Sequence, residues 1–326
     1  MTTALITGAG GQDGILTARR LVAEGMRVIG VVRPGWSSPM AVYLDGVEIV
    51  EADLRDASSM DRIVELAGPD EVYHLGGSTS VAESFADPVT VADVNDRATE
   101  HLLIACRKHA PDARLALASS AEVFGPEVTG PRDERTPFDP RSPYAESKVA
   151  VHHHAATARA GGQHVSVGIL FNHESPIRGR RFVTRKITRA AAEIACGRSE
   201  TLRLGNLDVS RDWGAAADTV DALVRLVRSD DPGDFVVATG VLHTIGDLVE
   251  AAFEAAGVDD PWSFVVQDPK LMRARDTPGT VADNTLARER LGWQPSMTFA
   301  DLVEAMVSAD LTRVRTGVEE DPSYLR

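Results

Sequence analysis

Apolar positions recur along the first half of the chain in two alternating patterns. Short runs at residues 3–7, 27–32, 47–50, 71–75, 114–118 and 165–171 have the length and β-branched character of strands buried on both faces. Between them lie stretches with a helical period. After residues 8–14, Ile15, Leu16, Leu21 and Val22 fall on one face and the pattern stops at Gly25. Further helices are expected at 58–66, at 88–109 as one long helix, at 143–160 and at 184–196. Strand and helix in strict alternation predict an α/β fold, a doubly wound parallel sheet of the Rossmann type, which binds ligands beyond the carboxyl ends of its strands. The expected division is a cofactor-binding domain over 1–171 with about 214–240 and 283–290. A smaller, mainly C-terminal substrate lobe would take about 172–213 and 241–282 with helices over 291–315. The acidic tail Glu319-Glu320-Asp321-Pro322 reads as exposed and loosely ordered.

Length and charge narrow the partners. A chain of 326 residues is long for one compact core, which fits a large domain with a lobe. The formal net charge of −14, with no basic stripe, argues against nucleic acid and anionic membrane. An anionic substrate would then need a local cationic pocket. Two cysteines, Cys106 and Cys196, both in expected helices, suit a reducing cytoplasm, and no disulfide is expected. The chain opens directly on a strand pattern without a leader, and no apolar run approaches the ~20 residues of a membrane span. The expected location is cytoplasmic.

Candidate chemistry begins at the first strand's exit. Gly8, Gly11 and Gly14 stand at G-x-x-G-x-x-G spacing, with Gln12 and Asp13 between the last two. Glycines here permit a tight turn and let backbone N–H groups approach a pyrophosphate at a helix N-terminus. The second strand closes on Arg33 where an acid would bind the ribose hydroxyls of NAD; arginine suits a 2′-phosphate and favours NADP, with NAD the alternative. Asp53 and Leu54 follow the third strand and would border the adenine. Leu75 and Gly76 end the fourth, where a cofactor would pass.

Tyr144 and Lys148 lie four residues apart just after Pro143, which favours the first turn of a helix, so phenol and ammonium share one face. A nearby cation favours the phenolate, making Tyr144 a candidate base for an alcohol proton. The fifth strand exits into Ser119-Ser120-Ala121-Glu122, placing a hydroxyl and a carboxylate at the same edge. His152-His153-His154 suggests a metal only superficially: consecutive helical residues point about 100° apart and cannot converge on one ion, so no metal site is expected.

With Ser120, Tyr144 and Lys148, the chain resembles the extended short-chain dehydrogenase/reductases. The stretches 140–144, 168–176 (with Asn172-His173-Glu174-Ser175-Pro176), 182–187, 204–208, 211–214 (Arg211-Asp212-Trp213-Gly214), 238–240 and 291–293 are similar to the GDP-mannose 4,6-dehydratase family. They occur in family order over nearly the whole chain. The resemblance implies a lyase that removes water from a GDP-hexose and regenerates NADP in each turnover. Tyr144 would take the C4 hydroxyl proton, Ser120 would hydrogen-bond the same oxygen, and Lys148 would hold the nicotinamide ribose. Glu122 would shuttle the proton from C5 to the departing C6 hydroxyl. It also implies substrate contacts at Thr79, Asn172, Glu174, Val183, Lys186, Arg211 and Arg273, and a homodimer built on the helices at 88–109 and 143–160, or a homotetramer that the loop after the second strand helps to form. A reductase of the keto product, or a dehydratase or epimerase of another nucleotide-linked hexose, are the alternatives. The chain departs from the family at Pro34, where a second basic residue is usual, in the short segment 35–44, at Phe124, at Thr79-Ser80, and at Arg273-Ala274-Arg275-Asp276.

Overall fold

The computed structural model describes residues 2–126, 130–272 and 279–325. Seven parallel strands form the central sheet, which crosses residues 234–237, 164–170, 114–118, 71–74, 3–7, 27–32 and 48–51 in that order. In chain order the first half runs β1 (Thr3–Thr7), α1 (Gln12–Ala23), β2 (Arg27–Val32), β3 (Glu48–Glu51), α2 (Ala57–Ala67) and β4 (Glu71–His74). It continues with α3 (Val81–Ala86), α4 (Pro88–Ala92), α5 (Ala98–His109), β5 (Arg114–Ala118), α6 (Pro143–Ala160) and β6 (His164–Leu170). All five residues of β1 are buried, as an interior strand requires, whereas edge strand β3 is largely exposed.

Two layers of helix cover the sheet. On one face Ile15, Ala18 and Leu21 of α1 pack with β1, β2 and Val220, Leu223 and Val227 of α8 (Ala216–Arg228). On the other, Ile63 and Val64 of α2, Leu102 and Cys106 of α5, and Val151 and Ala155 of α6 meet Leu5, Val72, Leu115 and Val167.

The remaining elements are β7 (Asn172–Glu174), α7 (Val183–Ala195), β8 (Leu202–Leu204), β9 (Ser210–Arg211), β10 (Trp213–Ala215), β11 (Asp234–Val237), β12 (His243–Thr244), α9 (Ile245–Ala255), β13 (Val265–Gln267), α10 (Thr285–Leu291) and α11 (Phe299–Thr316). Three two-stranded pairs, β10-β7, β12-β9 and β13-β8, lie outside the main sheet. A separate core joins Ile187, Ala191 and Ile194 of α7 to Leu248, Val249 and Phe253 of α9 and to Val303 and Val307 of α11. No helix among the described residues is long and apolar enough to cross a membrane.

Three features depart from the sequence pattern. The sheet has a seventh strand, β11, paired with β6, where six were expected. The expected helix over 88–109 is continuous but underwound in its middle: Asp93–Arg97 forms a π-helical turn between α4 and α5. Such turns re-aim one side chain, here Asn95, which is buried. The acidic tail is not loose. Glu320 Oε2 accepts from Tyr43 Oη at 2.8 Å, and Arg313 Nε donates to the Glu319 carbonyl at 2.7 Å. The Arg313 guanidinium also lies 4.1 Å from the Tyr324 ring centre.

Candidate active site

The glycine turn is shaped for close backbone approach. Gly8 has φ +72°, a left-handed value glycine adopts without strain, and a Cβ there would lie 2.7 Å from Gly76 Cα. A Cβ on Gly14 would fall 2.3 Å from the Gly8 carbonyl oxygen, so α1 begins flush against the turn. Gly76 in turn abuts Leu54, whose Cδ1 would be 2.5 Å from an added Cβ. The ends of β1, β3 and β4 are thereby drawn together around bare backbone at the N-terminus of α1, the cradle a dinucleotide pyrophosphate needs. Arg33 is exposed just past β2 and has no ion pair among the described residues. Asp53 is engaged by Arg55, Nη2 to Oδ2 2.6 Å, whose hydrogen bonds hold its carboxyl below the usual range.

Tyr144 and Lys148 stand on the first two turns of α6. Ser142 caps that helix, its Oγ accepting from Ala145 N at 3.1 Å, with Pro143 in the first turn. Both side chains are buried, and Lys148 Nζ lies 5.9 Å from the phenol ring centre while donating to the Ala118 carbonyl at 2.8 Å. Burial pushes the Tyr144 phenol up to about 12; its hydrogen bond with Ser120 acts the other way, the Glu122 carboxylate raises it further, and the Arg178 cation lowers it. The cation among its leading influences is therefore Arg178, where the four-residue spacing points to Lys148. Burial lowers Lys148 to about 8. Ser120 is half-buried at the β5 exit, and Glu122 is exposed in the short turn that follows. Hydroxyl, phenol, ammonium and carboxylate thus meet where β5 ends and α6 begins.

Sequence spacing does not reveal what surrounds this group. Asn95, aimed inward by the π turn, accepts from Ser78 N at 2.8 Å and donates to Ser147 Oγ at 3.0 Å. A Cβ on Gly77 would sit 2.7 Å from Asn95 Oδ1 and 3.8 Å from Lys148 Nζ, so Gly77 is hemmed in by both. His173 Nε2 is 3.0 Å from Asp13 Oδ2, and its Nδ1 donates to the Phe171 carbonyl at 2.7 Å. Burial raises Asp13, but His173, with Gln12 and Arg178, leaves the carboxyl lower than usual; burial lowers His173, but Asp13, with the Phe171 carbonyl, leaves it higher. Gln12 donates to the His173 carbonyl at 3.1 Å and accepts from Ser175 Oγ at 2.8 Å. The second half of the chain is thus pinned to the start of α1. No periodicity pairs residue 13 with residue 173; only the placement of β7 does.

The expected substrate residues are less tightly grouped. Glu174 is buried, 2.9 Å from Arg178 Nε and accepting from Thr184 Oγ1 at 2.8 Å; burial raises its carboxyl. Thr79 is exposed and accepts from Arg181 at 3.1 Å, which joins the loop after β4 to the loop before α7. Asn172 is exposed at the start of β7, and Val183 opens α7. Lys186 donates to the Arg203 carbonyl at 2.6 Å, and Arg211 Nη1 to the Ser210 carbonyl at 2.7 Å. Arg273, with Arg275, lies outside the described residues. Of the histidine run, His152 meets Asp234 and His154 meets Asp96, in different directions.

Comparison with known proteins adds kinship to this geometry. The family model described as GDP-mannose 4,6 dehydratase matches residues 5–306. GDP-mannose 4,6 dehydratase 2 of Arabidopsis thaliana is 40% identical over 340 residues, covering 99% of this chain and 90% of its own. Among solved structures, RMD from Pseudomonas aeruginosa complexed with NADPH superposes with a TM-score of 0.81 at 26% identity, covering 96% of this chain and 100% of that one. UDP-glucose 4-epimerase of Thermus thermophilus, in complex with NAD, gives a TM-score of 0.82 at 26% identity, covering 95% and 99%.

Proposed function

The chain belongs to the GDP-mannose 4,6-dehydratase family, and from that premise we propose that it is a lyase converting GDP-mannose to GDP-4-keto-6-deoxymannose. The observation that carries this reading is the meeting of Ser120, Glu122, Tyr144 and Lys148 where β5 ends and α6 begins. The first and last steps are redox, and the bare-backbone turn at Gly8, Gly11 and Gly14 fits a dinucleotide that supplies them. NADP held there would supply the hydride chemistry, taking hydride at sugar C4 and giving it back at C6. Arg33, with no acid at the close of β2, supports NADP over NAD.

The side chains do the rest. Tyr144 takes the C4 hydroxyl proton, and Ser120 hydrogen-bonds the same oxygen. Burial holds the phenol at about 12 even with Ser120 and Arg178 acting the other way, so it must give up its own proton before it takes the sugar's. Lys148, braced on the Ala118 carbonyl, orients the nicotinamide ribose. Once C4 is a ketone the C5 proton is acidic. Glu122 removes it, then protonates the departing C6 hydroxyl, and water leaves; when hydride adds to C6, the proton that Tyr144 took from the C4 hydroxyl is the one left to restore C5, so protons balance. An epimerase needs only oxidation and its reversal, whereas a dehydratase needs this added acid–base group. Asn172, Lys186 and Arg211 are the groups we assign to the diphosphate. Phe85, Val89 and Ile104 lie exposed on α3, α4 and α5 and support a homodimer through these helices and α6.

Incubating the purified protein with GDP-mannose, without added cofactor, should give a product lighter by one water. Unchanged GDP-mannose would reject the reading. Stoichiometric loss of NADPH absorbance with the 4-keto sugar would favour a reductase instead.

A further inference from the structure

We infer that His152 is a positioning residue for the reaction, acting through Ser119 on the strand end that carries Ser120 and Glu122; the inference rests on the function proposed above. Residues 144, 148 and 152 follow one another at four-residue steps along α6 and share a face. They meet three consecutive residues at the β5 exit. Lys148 Nζ donates to the Ala118 carbonyl at 2.8 Å, His152 Nε2 lies 2.8 Å from Ser119 Oγ, and Tyr144 hydrogen-bonds Ser120. The first and third contacts belong to the active group already described. The second has no role in it.

His152 is itself held from behind. Its Nδ1 is 2.5 Å from Asp234 Oδ2, and the other Asp234 oxygen is 2.9 Å from Arg159 Nη1. Burial raises the Asp234 carboxyl, yet His152 and then Arg159 bring it below its usual range, so it stands ionised and accepts the Nδ1 proton. That settles the ring's orientation and turns Nε2 toward Ser119. Phe138 packs against the imidazole with ring centres 4.6 Å apart.

Carboxylate, imidazole and hydroxyl stand in the order of a hydrolytic triad. Ser119 is only 4% exposed, as is His152, so no acyl substrate reaches the hydroxyl. What the arrangement can do is hold. Past Ala118 the strand keeps the backbone bond from Ser119 N to the Gly168 carbonyl at 2.8 Å, and the chain then turns at residues 121–124. The line from Asp234 through His152 to Ser119 fixes that turn's root from the side. A shift of about 1 Å in a reacting group costs roughly 10²-fold in rate.

The test is a double-mutant cycle on turnover. Ser119→Ala removes one oxygen and His152→Phe fills the ring's space. Each should lower kcat by roughly 10- to 100-fold, leaving KM for the sugar nucleotide and cofactor affinity within about two-fold. The double variant should be no worse than the worse single one. Unchanged kcat in Ser119→Ala, or losses that multiply, would overturn the inference. Should the wild-type chain leave GDP-mannose intact, the preceding proposal fails by itself. A crystal structure of Ser119→Ala then decides this one: Ser120 Oγ drawn away from Tyr144 supports it, and an unmoved Ser120 ends it.

Discussion

Lys148 shows how one residue serves the site at the expense of the fold. Its pKa of about 8 lies below the ~10.4 of an unfolded chain. Below pH 8 both states carry the charge, and only the folded one bears its desolvation. Between pH 8 and about 10 the folded state releases its proton first, the unfolded state binds more protons, and stability rises with pH. Lys148→Met should therefore be more stable than wild type at pH 7, by on the order of 2 kcal/mol: about 3 from relieved desolvation less about 1 for the lost hydrogen bond to Ala118. The gap should narrow toward pH 10, read by thermal unfolding at both values, while turnover collapses. A variant less stable at pH 7 would refute this account. Glu122 is the opposite case, exposed and free of any core duty. Glu122→Gln should leave melting temperature and NADP affinity unchanged and cut water elimination by at least ~10²-fold; full activity would remove it from the mechanism.

At the level of elements, function rests on three junctions: β1 to α1, the π turn between α4 and α5, and β5 to α6. The first tolerates no side chain at Gly14, because an added Cβ meets backbone at 2.3 Å, which cannot rotate away. Gly14→Ala should cost about 1–3 kcal/mol by overpacking, lower the melting temperature, and abolish NADP binding in a fluorescence titration. Retained binding would mean the turn has slack that its geometry does not suggest. The second junction explains why the pattern at 88–109 reads as one plain helix. A single π turn does not end the helix, so run length alone does not show it, nor Asn95 with it.

The whole molecule is closed by the segment at 318–325. Asp310 is fully buried between Arg185, at 2.8 Å, and Arg313, at 3.3 Å, and Arg313 carries on to the tail. The tail then reaches Tyr43 beside the cofactor-binding half. Removing residues 318–326 should strip Arg313 of the Glu319 carbonyl, the Glu320 carboxylate and the Tyr324 ring. We expect a loss of roughly 2–5 kcal/mol, since it leaves a buried guanidinium with part of its partners gone. Denaturant unfolding measures it; a loss under about 0.5 kcal/mol would show the tail to be ornamental.

What the chain alone determined is what neighbours in sequence decide. Run length and period gave six strands, the helices between them, the parallel sense of the sheet, the three-glycine turn and the shared face of Tyr144 and Lys148, because backbone geometry repeats over a few residues. The tertiary structure decided what depends on distant segments meeting. Asp13 faces His173 across 160 positions, Asp234 reaches His152 across 82, and Tyr43 holds Glu320 across 277. It also decided that Tyr144 is raised by burial, with Arg178 as a leading cation near it. Charge and desolvation act through space, and separation along the chain carries no record of them.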